Sequence, residues 1–246
     1  MTIRFVTALP VYNEAKTVNS VLDEVVKRSP NILVVDDGSS DGTAELLAAR
    51  SDIVVVTHRP NQGYGAALNT AFRYAMDQGF EYLVTIDCDG QHEPQSIQAF
   101  VDECAHGKFD IVSGSRYLKS FPGDSEPPAE RKWINQQITQ ELNESLHLGI
   151  TDAFCGFKAY RVAALRKLHI TEVGYAMPLE VWVQAACHKL RIKELPVRLL
   201  YLDDKRSFGP TLDDAAIRLN YYHRVLDRCF AALPEDCHKL KAERQL

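Results

Sequence analysis

Short apolar runs recur along the first half of the chain, and segments with helical periodicity lie between them. The runs are continuous and rich in Val and Ile, which is typical of strands buried on both faces of a sheet. Strands that alternate with helices predict a parallel sheet with right-handed crossovers. We therefore predict an α/β fold, with strands at residues 3–9, 32–35, 53–57, 82–86 and 109–113 and helices at 15–28, 41–48, 64–77 and 95–105.

The second half of the chain has a different pattern. Residues 120–129 are rich in Pro, Gly and acidic residues and predict an exposed loop that could serve as a lid. Helices are predicted at 130–147, 178–190 and 211–232, and strands at 156–160 and 192–202. With 246 residues, 46% of them hydrophobic, we expect one domain over 1–210 and a helical C-terminal extension over 211–246.

The C-terminal helix has an apolar stripe at helical spacing. Core packing and contact with a membrane surface or a second subunit are both open for this stripe. Its members are Leu212, Ala216, Leu219, Tyr222 or His223, Leu226 and Phe230.

Polar side chains follow three of the predicted strands. In an open parallel sheet, ligands bind beyond the carboxyl ends of the strands, so these residues should meet at one edge. They are Pro10, Tyr12, Asn13 and Glu14 after the first strand, Asp36, Asp37, Gly38, Ser39 and Asp41 after the second, and Asp87, Asp89, Gly90 and Gln91 after the fourth.

Asp87 and Asp89 indicate a metal site. Side chains two residues apart in an extended segment share a face, so the two carboxylates would repel each other without a cation. Oxygen ligands of this kind suit Mg²⁺ or Mn²⁺, which bind through one or two carboxylates together with substrate phosphates and water. Gln91 could supply a third ligand or hold a metal-bound water.

Two further segments have alternative interpretations. The run 36–43 could act only as a turn and helix cap, and Asp41 is the expected cap. The run 61–65 offers glycines for a tight turn and backbone N–H groups at a helix start, which would suit an anion. It lacks the lysine of a P-loop and the dinucleotide fingerprint.

Several of these motifs, in this order, resemble family 2 glycosyltransferases with the GT-A fold. The resemblance covers about residues 4–210 and is nearest to the dolichol-phosphate or polyprenyl-phosphate mannosyltransferase-like branch. The motifs are Pro10-Val11-Tyr12-Asn13-Glu14, the DDGSSDGT run, Asn61-Gln62-Gly63-Tyr64-Gly65, residues 87–94, Gly114-Ser115-Arg116-Tyr117, residues 131–135 with Asn143, and Thr151-Asp152 with residues 155–161.

This resemblance implies roles for individual residues. Pro10, Tyr12, Glu14 and Asp37 would contact the donor nucleotide, while Asp87, Asp89 and Gln91 would hold the cation on its diphosphate. The acceptor phosphate would face residues that include the arginines Arg116 and Arg131, either of which could instead simply pair with a carboxylate. The expected acceptor-site residues are Arg116, Arg131, Asn135 and Arg206, and the expected catalytic residues are Asp89, Arg116, Arg131 and Asp152.

The expected reaction is metal-dependent transfer of a hexose, with inversion, from a GDP-mannose or UDP-glucose type donor to a polyprenyl phosphate. The family branch usually carries Arg-x-x-Gly-x-Ser-Lys where this chain has residues 203–210, so the acceptor stays open. A soluble hydroxyl acceptor would need a base, for which Asp152 is the candidate. A third possibility is a nucleotide-sugar binding protein without turnover.

Net charge and cysteine content indicate which classes of partner and which cellular compartment to expect. A formal net charge of -5 argues against broad nucleic-acid binding. The six cysteines have no CxxC pair, so reduced thiols in a cytoplasmic protein are expected. Neither a signal sequence nor an apolar run of about 20 residues is present, which predicts a chain without a transmembrane segment that could touch the cytoplasmic membrane face peripherally.

Overall fold

A seven-stranded sheet forms the centre of the computed structural model, which describes residues 3–201, 209 and 211–237. The strands are β1 (Phe5–Val11), β2 (Ile32–Asp36), β3 (Val54–Thr57), β4 (Tyr82–Thr85), β5 (Ile111–Ser115), β6 (Lys158–Arg161) and β7 (Ile192–Pro196). Their order in the sheet is β3-β2-β1-β4-β6-β5-β7. Only β6 runs antiparallel to its neighbours, β4 and β5, so the predicted mostly parallel sheet is confirmed.

Helices flank the sheet on both faces. They are α1 (Val18–Val25), α2 (Thr43–Ala48), α3 (Tyr64–Asp77), α4 (Ile97–His106), α5 (Ala129–Leu146), α6 (Val162–Leu165), α7 (Met177–Cys187) and α8 (Ala215–Ala231), with 3₁₀ turns at Pro94–Ser96 and Glu235–Cys237. One apolar core lies between the sheet and α3, α5, α7 and α8. A second core lies on the opposite face, under α1 and α4.

The edge strands differ from the predictions. β3 was expected to be buried on both faces, yet Val54 is 44% exposed because β3 is the outermost strand and has a partner on one side only. β7 was expected to continue to residue 202 but ends at Pro196, whose nitrogen carries no hydrogen for the ladder. The short helix α6 was not predicted.

The C-terminal helix packs into the main core. Tyr222, Leu226 and Phe230 are buried in the cluster that also contains residues of α3, α5 and α7. Core packing of the apolar stripe is therefore confirmed for these three residues. Helix α8 shares its core with the sheet domain, so the expected boundary at residue 210 does not separate two cores.

Two cysteines contradict the expectation of six reduced thiols. Cys187, at the end of α7, and Cys237, in the last 3₁₀ turn, form a disulfide with their Cα atoms 5.5 Å apart. They are 50 residues apart in the chain. The packing of α8 against α7 brings them together. Cys88, Cys104, Cys155 and Cys229 are buried.

None of the helices in the described part of the chain combines the length and apolar character that crossing a membrane requires.

Candidate active site

The carboxyl ends of β1, β2 and β4 lie side by side at one edge of the sheet. The chain moves from β1 to β2 in one direction along the sheet, while β4 lies on the other side of β1. This arrangement is a topological switch point, where α/β sheets open a crevice for ligands. Asp36, the last residue of β2, pairs with Val11, the last residue of β1. The predicted meeting of polar strand ends is thus present in the structure.

The loop after β1 is tied to the loop after β2. Asn13 adopts a left-handed φ of 56°, donates its backbone N–H to Ser39 and accepts from the backbone N–H of Ser40 at 2.8 Å. Tyr12 is 48% exposed, so its ring faces solvent at the edge where a nucleotide base could stack. The carboxylate of Glu14 accepts from the hydroxyl of Thr17 at 2.8 Å. Donor contacts by Pro10, Tyr12 and Glu14 stay predictions.

Asp41 holds the turn before α2. Its Oδ1 accepts from the backbone N–H of Thr43 at 3.1 Å, and its Oδ2 accepts from the backbone N–H of Ala15. The residue at the cap position itself is Gly42, with φ of 97°. Asp41 therefore supports the start of α2 from one residue further out and also anchors the loop after β1.

Asp37 supplies the anion that the glycine turn before α3 requires. Its Oδ1 accepts from the backbone N–H of Gln62 at 3.0 Å, and its Oδ2 accepts from that of Gly63 at 2.8 Å. The Nδ1 atom of His58 lies 2.7 Å from Oδ1. The Asp37 side chain is buried and both of its oxygens accept from the turn, so its structural role is to fix the backbone at Gln62 and Gly63. Its predicted contact with the donor nucleotide stays a prediction.

Asp87 lies two residues beyond β4 and is surrounded by three other segments. The hydroxyl of Tyr64 donates to its Oδ1 at 3.1 Å, and the Nε2 atom of His92 lies 3.4 Å from its Oδ2. The carboxylate also lies against Gly156, where a Cβ atom would overlap it. Its side chain keeps 23% of its surface exposed.

The segment after β4 contains the two carboxylates that are predicted to hold a cation, Asp87 and Asp89. Cys88 is buried in the core, whereas Asp87 and Asp89 on either side of it are half-buried. Oδ1 of Asp89 accepts from the backbone N–H of Gln91 at 2.9 Å. Residues 3–201, 209 and 211–237 contain no group of three or more His, Cys, Asp or Glu side chains that could hold a metal ion by themselves. Two carboxylates and an amide are oxygen ligands of the kind that Mg²⁺ or Mn²⁺ takes when it also binds substrate phosphates. Cation binding by Asp87, Asp89 and Gln91 stays a prediction.

Arg116 and Asp152 form a buried ion pair. Nε of Arg116 donates to Oδ2 of Asp152 at 2.7 Å, and its second nitrogen donates to Oδ1 at 2.9 Å. Asn135, on α5, also donates to Oδ1, at 2.8 Å. Burial alone would raise the pKa of Asp152, but the charge and hydrogen bonds of Arg116 and the hydrogen bond from Asn135 hold it well below its usual range. A carboxylate in this state is a weak base.

Arg131 and Arg206 are the two remaining predicted acceptor residues. The guanidinium of Arg131, in the first turn of α5, lies 5.9 Å from the ring centre of Tyr201. This contact places α5 beside the segment that follows β7. Arg206 lies outside the described residues. A role for either residue in acceptor binding stays a prediction.

Sequence reasoning missed three side chains beside Asp87 and Asp152. Tyr64 and His92 flank Asp87. Both belong to motifs that the sequence analysis noted, residues 61–65 and 87–94, but neither was predicted to contact Asp87. Lys158 is buried, donates to the carbonyl of Cys155 and lies 5.4 Å from the ring centre of Trp182. A lysine inside an otherwise apolar strand was the available signal for this last residue.

The chain is similar in sequence to a family of known proteins. The model of the family described as "Glycosyl transferase family 2" matches residues 7–169. The chain is 30% identical over 230 residues to the undecaprenyl-phosphate mannosyltransferase of Micrococcus luteus, covering 88% of this chain and 93% of that protein. It is 32% identical over 208 residues to the polyprenol monophosphomannose synthase of Mycolicibacterium smegmatis, covering 80% of this chain and 77% of that protein.

Solved structures show the same fold at lower identity. Glucosyl-3-phosphoglycerate synthase of Mycobacterium tuberculosis superposes with a TM-score of 0.70 at 20% identity, covering 95% of this chain and 82% of that one. Residues 1–349 of TarS from S. aureus, solved in complex with UDP-GlcNAc, superpose with a TM-score of 0.64 at 17% identity, covering 99% of this chain and 72% of that one.

Proposed function

Because this chain belongs to glycosyl transferase family 2 and is a glycosyltransferase of the GT-A type, we propose that it transfers a hexose to a polyprenyl phosphate with the help of a divalent cation. The observation that carries the proposal is the placement of Asp87 and Asp89 beyond β4, at the switch point of the sheet. The donor would be a GDP-mannose or UDP-glucose type sugar nucleotide, and the anomeric centre would be inverted.

Asp87, Asp89 and Gln91 would hold the cation in this proposal. Mg²⁺ or Mn²⁺ would act as a Lewis acid that stabilises the charge growing on the departing diphosphate. The protein's own part is to orient the donor between Tyr12 and Glu14 on one side and the metal carboxylates on the other. The Asp37 turn, which fixes the backbone at Gln62 and Gly63, supports the floor of this cleft.

The state of Asp152 favours a phosphate acceptor over a hydroxyl. A phosphate has a second pKa of about 6 and is largely ionised near neutral pH, so it needs no strong base. Asp152 is engaged by Arg116 and Asn135 and has a lowered pKa, which suits a residue that holds Arg116 in place rather than one that removes a proton. Arg116, Arg131 and Asn135 would then line the acceptor side.

The names of the relatives support the same acceptor class. The Micrococcus luteus and Mycolicibacterium smegmatis proteins are named for transfer of mannose to a polyprenyl lipid, while a relative at 26% identity from Methanococcus voltae is named for transfer of N-acetylglucosamine to dolichyl phosphate. We extend the shared lipid-phosphate acceptor, and not a particular sugar, to this chain. The reaction would therefore take place at a membrane surface, which the protein would contact peripherally.

Acceptor and donor trials test the proposal directly. Purified protein with Mn²⁺ is offered radiolabelled GDP-mannose or UDP-glucose together with either a polyprenyl phosphate in detergent micelles or simple saccharides. We expect transfer to the lipid phosphate with at least one donor and none to the saccharides. Transfer to saccharides alone would contradict the acceptor assignment, and binding of donor without any turnover would indicate a non-catalytic protein.

Gly156→Ala is predicted to impair the site without unfolding the protein. The added methyl group would overlap the carboxylate of Asp87 and displace it from the metal position. A shift of about 1 Å in a metal-binding group can lower turnover roughly 100-fold. Gly149→Asn is the control, because a Cβ atom added at Gly149 would meet nothing within 4 Å and its φ of 66° is one that asparagine tolerates. Equal turnover of the two variants would contradict the placement of Asp87.

A further inference from the structure

Tyr64, the first residue of α3, connects the glycine turn to the metal carboxylates. Its hydroxyl donates to Oδ1 of Asp87 at 3.1 Å. This hydrogen bond fixes one oxygen of Asp87 on the α3 side of the site.

The ring of Tyr64 stacks on the ring of Tyr175. The two rings stack with their centres 5.8 Å apart and an angle of 19° between their planes. Tyr175 belongs to segment 171–176, which connects the end of the α6 region to α7. The position of Tyr64 therefore depends on where this segment lies.

Two buried carboxylates anchor segment 171–176. Glu180 of α7 accepts from the backbone N–H of Thr171 at 2.8 Å and from that of Glu172 at 2.7 Å. Glu172 in turn accepts from the hydroxyl of Tyr221 at 2.5 Å and from the guanidinium of Arg228, both on α8. The first two residues of the segment are thus tied to α7, and the second of them, Glu172, is also tied to the C-terminal helix.

Segment 171–176 also lies directly against the start of α3. The backbone N–H of Ala66 donates to the carbonyl of Val173 at 3.1 Å. Methyl groups added at Gly63 or Gly65 would overlap the carbonyls of Val173 and Glu172, respectively. This contact has no room for a side chain, so a shift of the segment would move Tyr64 as well.

We propose that Tyr64 is a positioning residue for Asp87 and that segment 171–176, clamped to α8 through Glu172, locks Tyr64 in place. This inference rests on the proposed role of Asp87 as a cation ligand. The C-terminal helix would then have a second role besides core packing, because α8 would support the orientation of a metal carboxylate through Glu172 and segment 171–176.

Tyr64→Phe is the direct test, because it keeps the stacked ring and removes only the hydroxyl. Mn²⁺ is titrated in the presence of saturating GDP or UDP, and bound Mn²⁺ is measured by electron paramagnetic resonance. Loss of an outer hydrogen bond to a metal-binding carboxylate typically weakens metal affinity by about 10-fold. We expect that loss for Tyr64→Phe, with an unchanged melting temperature and with turnover largely restored at saturating Mn²⁺.

Tyr74→Phe is the matched control, since Tyr74 lies on the same helix and stacks on Phe80 away from the site. It should bind Mn²⁺ like the wild type. Glu172→Gln tests the contact between segment 171–176 and α8: it should weaken Mn²⁺ binding by less than the roughly 10-fold loss expected for Tyr64→Phe.

The outcomes separate the inference from the proposed function. Wild-type protein that binds no Mn²⁺ with either nucleotide would overturn both. Wild-type binding with an unchanged affinity in Tyr64→Phe would overturn the positioning role alone. A weakened Tyr64→Phe beside an unaffected Glu172→Gln would overturn the clamp.

Discussion

Replacing Asp89 with alanine is expected to lower sugar transfer by roughly a thousandfold or more while leaving the fold intact. Removing a Lewis-acid cation costs several kcal/mol of transition-state stabilisation, and about 4 kcal/mol corresponds to a factor of a thousand. Asp89 is half-buried at the end of the β4 segment and is predicted to be a cation ligand, so its loss should remove both the metal and metal-dependent donor binding. Initial rates at saturating donor and Mn²⁺ measure the effect.

Asp102→Ala is the control for Asp89→Ala. Asp102 lies on α4, where its carboxylate accepts an exposed hydrogen bond from Gln98 at 2.9 Å on the helix surface. It should retain wild-type turnover. Normal transfer by a folded Asp89→Ala protein would refute the metal role of this residue.

Asp152→Asn is expected to destabilise the protein by about 3–5 kcal/mol, because it leaves the Arg116 charge without its carboxylate in a buried position. For a chain of this size, that loss corresponds to a fall in melting temperature of roughly 10 °C. The lowered pKa of Asp152 means that its stabilisation is present in full above about pH 4 and is lost only as the pH falls towards the lowered value. Thermal unfolding at pH 7 therefore shows the full difference.

The exposed ion pair of Asp52 provides the comparison. Asp52 accepts from Arg50 at 2.7 Å, but its side chain is 45% exposed, and surface pairs contribute about 0–1 kcal/mol. Asp52→Asn should therefore change the melting temperature little. If Asp152→Asn were as stable as Asp52→Asn, Arg116 and Asp152 would not form the buried pair described above.

The main features of the fold could be predicted because they depend on local patterns. Continuous apolar runs and helical spacing gave the strands and helices of the first half, and their alternation gave the parallel sheet. The position of β6 between β4 and β5 could not be predicted in this way. An antiparallel insertion depends on pairing between residues far apart, such as Thr85 with Lys158. The Cys187–Cys237 disulfide escaped prediction for the same reason.

The candidate site shows the same division. Asp87 and Asp89 could be predicted because their spacing and their place after a buried strand are visible in the chain. The environment of Asp87 could not be predicted, because Tyr64 and Gly156, which contact its carboxylate, belong to distant segments of the chain. Asp152 was predicted as a candidate base from its neighbours in sequence, whereas its pairing with Arg116 and Asn135 is a property of the folded chain alone.

A crystal structure with Mn²⁺ and GDP or UDP tests the central claim most directly. The account predicts Mn²⁺ within about 2.2 Å of a carboxylate oxygen of Asp87 or Asp89 and in contact with the diphosphate of the nucleotide. A nucleotide bound elsewhere, or a cation that contacts neither carboxylate, would contradict it.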